Sequence, residues 1–354
     1  MIHRYQKKGL NFVLDVNSGA VHLLDDISYA VSGLIDENMT EKCPESVVEA
    51  LPQYAADDVR EAYGELYELK KAGQLFAEDD YIDVSRYIPV GAPVKALCLH
   101  VAHDCNLRCK YCFASTGDFG QGRKIMPPEV AKKAIDFVIA RSGKRRNIEV
   151  DFFGGEPLMA WDTVTQTVDY ARSLEEKYNK KFRFTITTNG LLLDEDKRKY
   201  INENMDNCVL SLDGRREVND EFRKTVAGTG SYDTIVPKFK ALVDERDPNL
   251  DYYARGTFTS HNLDFAEDVL SIADAGFDRL SVEPVTADPG CGYDLTEDDL
   301  PKIEAEYDRL TDIMLERKKE GKPFTFFHFM VDLDQGPCVV KRLRGCGAGY
   351  EYVA

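Results

Sequence analysis

The chain has 354 residues, 43% hydrophobic and 10% aromatic, which is enough apolar material for a real core and excludes global disorder. Its 62 acidic and 45 basic side chains leave a formal charge of −17, so generic binding to nucleic acid or to an anionic membrane is not expected. The opening MIHRYQKKGLNFVLD has no secretory apolar segment, no apolar run is long enough to span a membrane, and nine cysteines in such a chain fit a reducing cytoplasm, as metal ligands or catalysts.

Residues 1–80 begin with strand-like runs at His3–Lys7, Asn11–Asp15 and Ala20–Leu24, the last two joined through Asn17-Ser18-Gly19 as a hairpin. Helical patterns follow near Ile27–Leu34, Pro44–Leu51 and Ala56–Ala72. In the last, Val59, Ala62, Leu66 and Leu69 share a face and Gly73 supplies a stop. A small sheet with three such helices predicts a winged-helix-like module. Residues 81–93, with Pro89, Gly91 and Pro93, read as a linker.

From Val94 apolar strand-like runs alternate with helices. The runs are Ala96–Val101, Ile148–Phe153, Phe182–Thr187, Cys208–Leu212, Asp251–Phe258 and Leu280–Val285. Amphipathic segments such as Pro128–Ala140, Thr163–Tyr178 and Leu263–Ala275 lie between them. This predicts an α/β domain with a parallel sheet, either open and doubly wound or an incomplete (β/α) barrel. In both, the chemistry belongs at the C-terminal ends of the strands.

The strongest local signal is Cys105-Asn106-Leu107-Arg108-Cys109-Lys110-Tyr111-Cys112, after the first core strand. Three thiols this close can converge on one soft metal centre. A structural zinc wants four ligands, and His103, the nearest extra one, is on the strand side. Three thiolates suit a four-iron cluster with one open iron; zinc or unliganded thiols are the alternatives.

The spacing C-x3-C-x2-C with an aromatic before the last cysteine resembles the signature of radical S-adenosylmethionine (SAM) enzymes, over residues 94–321. Phe153-Gly154-Gly155-Glu156-Pro157 resembles that family's GGEP loop. Thr187-Thr188-Asn189-Gly190, Ser211-Leu212-Asp213-Gly214 and Asn219-Asp220-x-x-Arg223 resemble the motifs after its later strands. The resemblance implies a partial (β/α)6 TIM-like barrel in which Cys105, Cys109 and Cys112 hold three irons of a [4Fe–4S] cluster. The fourth iron takes the amino and carboxylate groups of SAM. Tyr111, Gly155, Glu156, Ser211, Asp213 and Arg223 then orient SAM, and Val285 neighbours the adenine. Arg255, on the fifth core strand, reads as a buried arginine needing an anion, either the SAM carboxylate or Glu283. The implied chemistry is one-electron cleavage to a 5′-deoxyadenosyl radical that abstracts hydrogen from the substrate.

Two further resemblances narrow the class. Phe12-Val13-Leu14-Asp15-x-x-x-Gly19-x-x-His22-Leu23-Leu24-Asp25 with three helices is similar to the recognition element of enzymes that modify ribosomally made peptides. That implies a leader peptide added as a strand at the edge Ala20–Leu24, facing Ala56–Ala72. Gly336-Pro337-Cys338 and Gly345-Cys346-Gly347-Ala348-Gly349 resemble the start of an auxiliary-cluster (SPASM) domain over 322–354, with Cys346 a metal ligand and Cys338 of undecided role. The combination most resembles the maturases of six-cysteine peptides, which join a cysteine sulfur to an α-carbon. The implied partners are a cysteine-rich precursor peptide and a flavodoxin- or ferredoxin-type electron donor. Since the chain stops at Ala354, the expectation is incomplete auxiliary clusters, SAM cleavage, and weak thioether formation. A sulfatase maturase, a carbon–carbon cross-linking enzyme, or a leader-binding protein without turnover are the rival readings. Among the remaining residues, Cys98 and Cys208 read as small buried hydrophobes, Cys291 as a solvated loop thiol and His328 as structural.

Overall fold

Residues 1–79, 91–331 and 347–354 are described by this computed structural model. The chain divides into two units, one starting at Met1 and the other holding Gly91–Met330 with Ala348–Ala354. Most of the expected linker, together with Asp332, Cys338 and Cys346, lies outside the described residues.

In the N-terminal unit, β1 (Ile2–Lys7), β2 (Leu10–Asp15) and β3 (Val21–Leu24) form an antiparallel sheet in that order. Asp15 shapes the β2–β3 turn: its Oδ1 accepts from the amides of Asn17 and Ser18 at 3.1 and 2.8 Å. Helices α1 (Asp26–Ser32), α2 (Glu45–Glu49) and α3 (Ala56–Lys71) follow. Asp25 caps α1 by accepting from Ser28 N. Val59, Ala62 and Leu66 of α3 bury as their spacing predicts, in one core with Val13 and Val31. Tyr63 joins them and donates its hydroxyl to Thr40 O at 2.9 Å, so its polar tip is satisfied. Among the described residues β3 is an edge strand, with Val21 and Leu23 exposed and His22 Nε2 2.8 Å from Gln74 O just past α3.

The second unit is built on β4 (Ala96–His103), β6 (Asn147–Gly154), β7 (Lys181–Thr188), β8 (Asn207–Ser211), β9 (Asp251–Phe258) and β10 (Arg279–Pro284), all parallel and paired in chain order. Crossovers α4 (Pro128–Arg141), α5 (Trp161–Tyr178), α6 (Glu195–Asn204), α7 (Arg216–Phe222), α8 (Tyr232–Asp244) and α9 (Phe265–Asp274) separate them, and α10 (Leu300–Lys319) follows β10. Alternation decides which face each strand buries. Ile148, Val150 and Phe152 of β6 are fully buried in one apolar core with Ile135 and Val138 of α4 and Val164 and Val168 of α5. Phe153, in the opposite phase, lines the cavity described below. This is the partial (β/α)6 barrel: among the described residues β4 and β10 do not pair with each other.

Short strands sit on both flanks. β5 (Lys124–Ile125) pairs antiparallel with β4, and β11 (Thr325–Phe326) extends the sheet beyond β10, past the expected boundary at Gly321. β12 (Tyr352–Val353) returns to pair with Ala96 and Leu97 of β4, and Tyr352 donates its hydroxyl to Asp151 at 2.6 Å. The final residues therefore fold with the barrel. No described helix is long and apolar enough to cross a membrane.

Candidate active site

The cysteine loop leaves β4 and is braced by a short antiparallel pairing with the segment after α7. Arg108 N donates to Lys224 O at 2.7 Å, Lys110 N donates to Phe222 O at 3.1 Å, and Leu107 bridges to Thr225. Cys105, Cys109 and Cys112 all open on one cavity of about 530 Å³ at the C-terminal ends of the strands. Cys105 Sγ accepts from Leu107 N at 3.3 Å and from Asn189 Nδ2 at 3.6 Å. Burial pushes the Cys105 thiol up to about 11 and Cys109 to about 12. Without a positive centre both are protonated; a bound cation reverses that balance. Among the described residues no three His, Cys, Asp or Glu groups lie close enough for a single metal ion.

The GGEP loop approaches this loop from β6. Gly155 N donates to Ala102 O at 2.7 Å and Glu156 N to Asp104 O at 2.9 Å. A Cβ on Gly155 would fall 2.1 Å from Asp104 O, so only glycine allows the contact. Glu156 is 1% exposed. Its Oε1 accepts from Leu158 N (3.0 Å) and Thr188 Oγ1 (2.8 Å), and its Oε2 from Asn189 N (2.8 Å). Burial outweighs these bonds and pushes the carboxyl up to about 7. One Oε2 lone pair is left for a ligand, so the expected acceptor for an amine is also a clamp between two loops.

Asp213 differs from its expected role. It is fully buried and does not line the cavity. Its Oδ1 accepts from Arg223 Nη2 at 2.9 Å and Thr257 N at 3.0 Å, and its Oδ2 from Tyr111 OH at 2.6 Å. Three of its four lone pairs are committed to holding other residues, because a buried carboxylate must be satisfied internally. Arg223 does line the cavity, with its guanidinium 5.6 Å from the Tyr111 ring centroid. Burial opposes its charge, yet Asp213 outweighs that and holds it above its ordinary value. Its Nε is buried with no partner.

Ser211, Val285 and Arg255 line the same cavity, as does Glu283. Arg255 is not buried: its side chain is 50% exposed and pairs with Glu283 Oε2 at 2.5 Å. Barrel strands that do not close leave this face open to solvent. Burial pushes Glu283 up, but Arg255 overcomes it and the carboxyl ends below its usual range. His328 Nδ1 lies 2.9 Å from Tyr307 OH, a structural contact. Cys208 is buried inside β8, Cys98 is only partly buried and Cys291 is exposed. Cys346 falls outside the described residues. Asn189 was legible only as part of an Asn-Gly turn. Nothing in the sequence announced that its amide bridges Asn106 Oδ1, at 2.7 Å, and the Cys105 sulfur.

The residues fit the implied cofactors. Three soft donors face one cavity, glycines let backbone approach, and the same cavity is lined by a cationic Arg223 and by Glu156, which keeps a free lone pair.

Residues 99–254 match the family model described as "Radical SAM superfamily". The chain is 30% identical over 197 residues to "Radical SAM cyclopropyl synthase TigE" of Paramaledivibacter caminithermalis, covering 51% of this chain and 40% of that protein. It is also 30% identical over 143 residues to "Cysteine-type anaerobic sulfatase-maturating enzyme" of Clostridium novyi, covering 39% and 37%. The matched stretches thus span less than half of either relative. Among solved structures, "Native anSMEcpe with bound AdoMet" superposes with a TM-score of 0.58 at 22% identity, covering 67% of this chain and 64% of that one. Residues 99–254 therefore match the radical SAM superfamily, which uses a [4Fe–4S] cluster and SAM, and are similar to parts of cyclopropyl-synthase and sulfatase-maturating radical SAM proteins.

Proposed function

We propose that the chain is a radical SAM enzyme that acts on a ribosomally made, cysteine-rich peptide and joins cysteine sulfur to an α-carbon. The observation that carries the radical SAM part is one cavity lined by three thiols, the Arg223 guanidinium and the Glu156 carboxyl, which keeps a free lone pair. An amino acid zwitterion needs such a donor and acceptor. In this reading Cys105, Cys109 and Cys112 would hold the cluster, while Glu156 and Arg223 would hydrogen-bond the amino and carboxylate groups of SAM. Tyr111, Ser211 and Val285 shape the remaining wall. When bound, the cofactor pair supplies one-electron cleavage of a sulfonium and a carbon radical able to abstract hydrogen. The residues around it fix orientation and exclude water.

The peptide part rests on the N-terminal unit. β3 is a sheet edge with an exposed Leu23, suited to backbone pairing with an added strand. A flavodoxin- or ferredoxin-type protein in the cytoplasm would supply the electron.

Anaerobic reconstitution tests the cofactor reading. Wild-type chain should hold about four irons with a reduced-cluster paramagnetic signal that SAM perturbs. The Cys105/Cys109/Cys112→Ala variant should hold none. One tightly held zinc in place of iron would sink the reading. The peptide reading is tested by selecting a displayed peptide library on the whole chain. Selected peptides should lose affinity for a Leu23→Asp variant, and equal binding by that variant would count against β3.

A second reading, a maturase of a folded sulfatase, is supported by the 30% identity to the Clostridium novyi protein. It predicts no dependence of product formation on Leu23.

A further inference from the structure

The loop joining β10 to α10, residues 285–299, gives the cavity one wall through Val285 and Thr286. It is lashed to the brace of the cysteine loop at two points. Tyr293 OH donates to Lys110 O at 2.9 Å and its ring packs edge-on to Phe222. The other point is His261, on the loop after β9. Its Nδ1 lies 2.8 Å from Glu221 Oε1 of α7, and its Nε2 lies 2.7 Å from Gly292 O. Both partners accept only. Gly292 O is a carbonyl, and Glu221 is held ionised, below its usual range, by His261 and then Lys110. A neutral imidazole has one N–H and would set a lone pair against the second acceptor; only the doubly protonated ring satisfies both. Beside the lashings the loop has room to hinge. Gly290 and Gly292 have φ of +80° and +92°, and a Cβ at either would touch nothing within 4 Å.

We propose that His261 is a positioning residue for the candidate site: as an imidazolium it ties the 285–299 loop to α7, and through α7 to the cysteine loop, and on losing its proton it lets that wall go.

The charges around the ring agree with this. Glu221 faces it from α7, and Lys110 opposes it from the cysteine loop. On the 285–299 loop, Asp294 is engaged with the amides of Gly290 and Gly292, while Asp288 and Cys291 act on Tyr293. Asp264, farther along the ring's own loop, is taken by Arg215. The bonds to Glu221 and Gly292 outweigh burial and hold the imidazolium above its ordinary 6.5. The folded value is therefore the higher one. The strap is complete below the ordinary value and is lost as pH rises through the folded value.

The inference goes beyond the proposed function and is a property of the bare protein, so it fails or survives independently of the cofactor reading. Hydrogen exchange of the 287–295 amides in the full chain, corrected for intrinsic rates from about pH 5.5 to about pH 8.5, tests it. Wild-type protection should fall by about tenfold across that range. His261→Gln, uncharged at every pH and with both N–H donors on one nitrogen, should be low and flat. His261→Arg, a permanent cation with donors for both, should be high and flat. Amides of β6 and β7 serve as the internal control. A flat wild-type profile, or a wild-type profile in the glutamine variant, overturns the proposal. Should that variant not fold, the wild-type and arginine profiles decide. A His261 midpoint by nuclear magnetic resonance at or below the ordinary value also overturns it.

Discussion

The two walls of the cavity are built on opposite principles. On the cysteine side, Glu156, Asp213 and Arg223 are buried, and Glu156 and Asp213 each accept three hydrogen bonds from different segments. On the far side, Arg255 and Glu283 hold mainly each other, with Ser281 as a further donor, and stay 50% and 32% exposed. The lesson is one of tolerance. A wall whose polar groups are fixed from several directions suits a ligand that never changes. A solvated ion pair can rearrange around variable substrates at little cost.

Substitutions measure how real that contrast is. Asp213→Ala should be the most damaging, leaving a buried Arg223 charge and the Tyr111 hydroxyl without their partner. A loss of about 3–5 kcal/mol in denaturant unfolding is expected. Next comes Gly155→Ala, whose Cβ would press on Asp104 O; about 1–3 kcal/mol of strain should appear together with poor iron retention after reconstitution. Glu156→Gln keeps the shape but turns an amide group against an N–H or O–H donor. About 1–3 kcal/mol should be lost, with SAM affinity in calorimetry falling more than stability. The smallest effect belongs to Arg255→Ala with Glu283→Ala, expected to change unfolding by less than about 1 kcal/mol and leave iron content unchanged. If this double variant destabilised as much as Asp213→Ala, the two walls would not differ as described.

The parts of this site that could be read in the sequence are those written contiguously. The cysteine run, the GGEP loop and the Asn-Gly and Asp-Gly turns each follow a strand, and strand alternation gives the parallel sheet, while the family resemblance gives the barrel. What stayed hidden is pairing between distant segments. Asp213 looks like a ligand contact in sequence because nothing local says that Tyr111, Arg223 and Thr257 will bond to its oxygens. Arg255 looks buried because a strand position does not reveal that β4 and β10 leave the barrel open. The strap through His261, Glu221 and Gly292 carries no local pattern at all. Helices such as Glu195–Asn204 were also missed, since a polar segment has little apolar periodicity to announce it.

The pairing of β12 with β4 has a consequence for synthesis. One side of β4 finds β6 soon after it emerges, but its outer side, including Ala96 and Leu97, waits for Tyr352 and Val353. Until residues 352–353 are made, the part of β4 that β5 leaves uncovered presents unpaired backbone groups. Such an edge is open to pairing with another nascent chain. The two-residue strand β12 thus acts as a catch that shields this part of β4 from assembly errors once it is made.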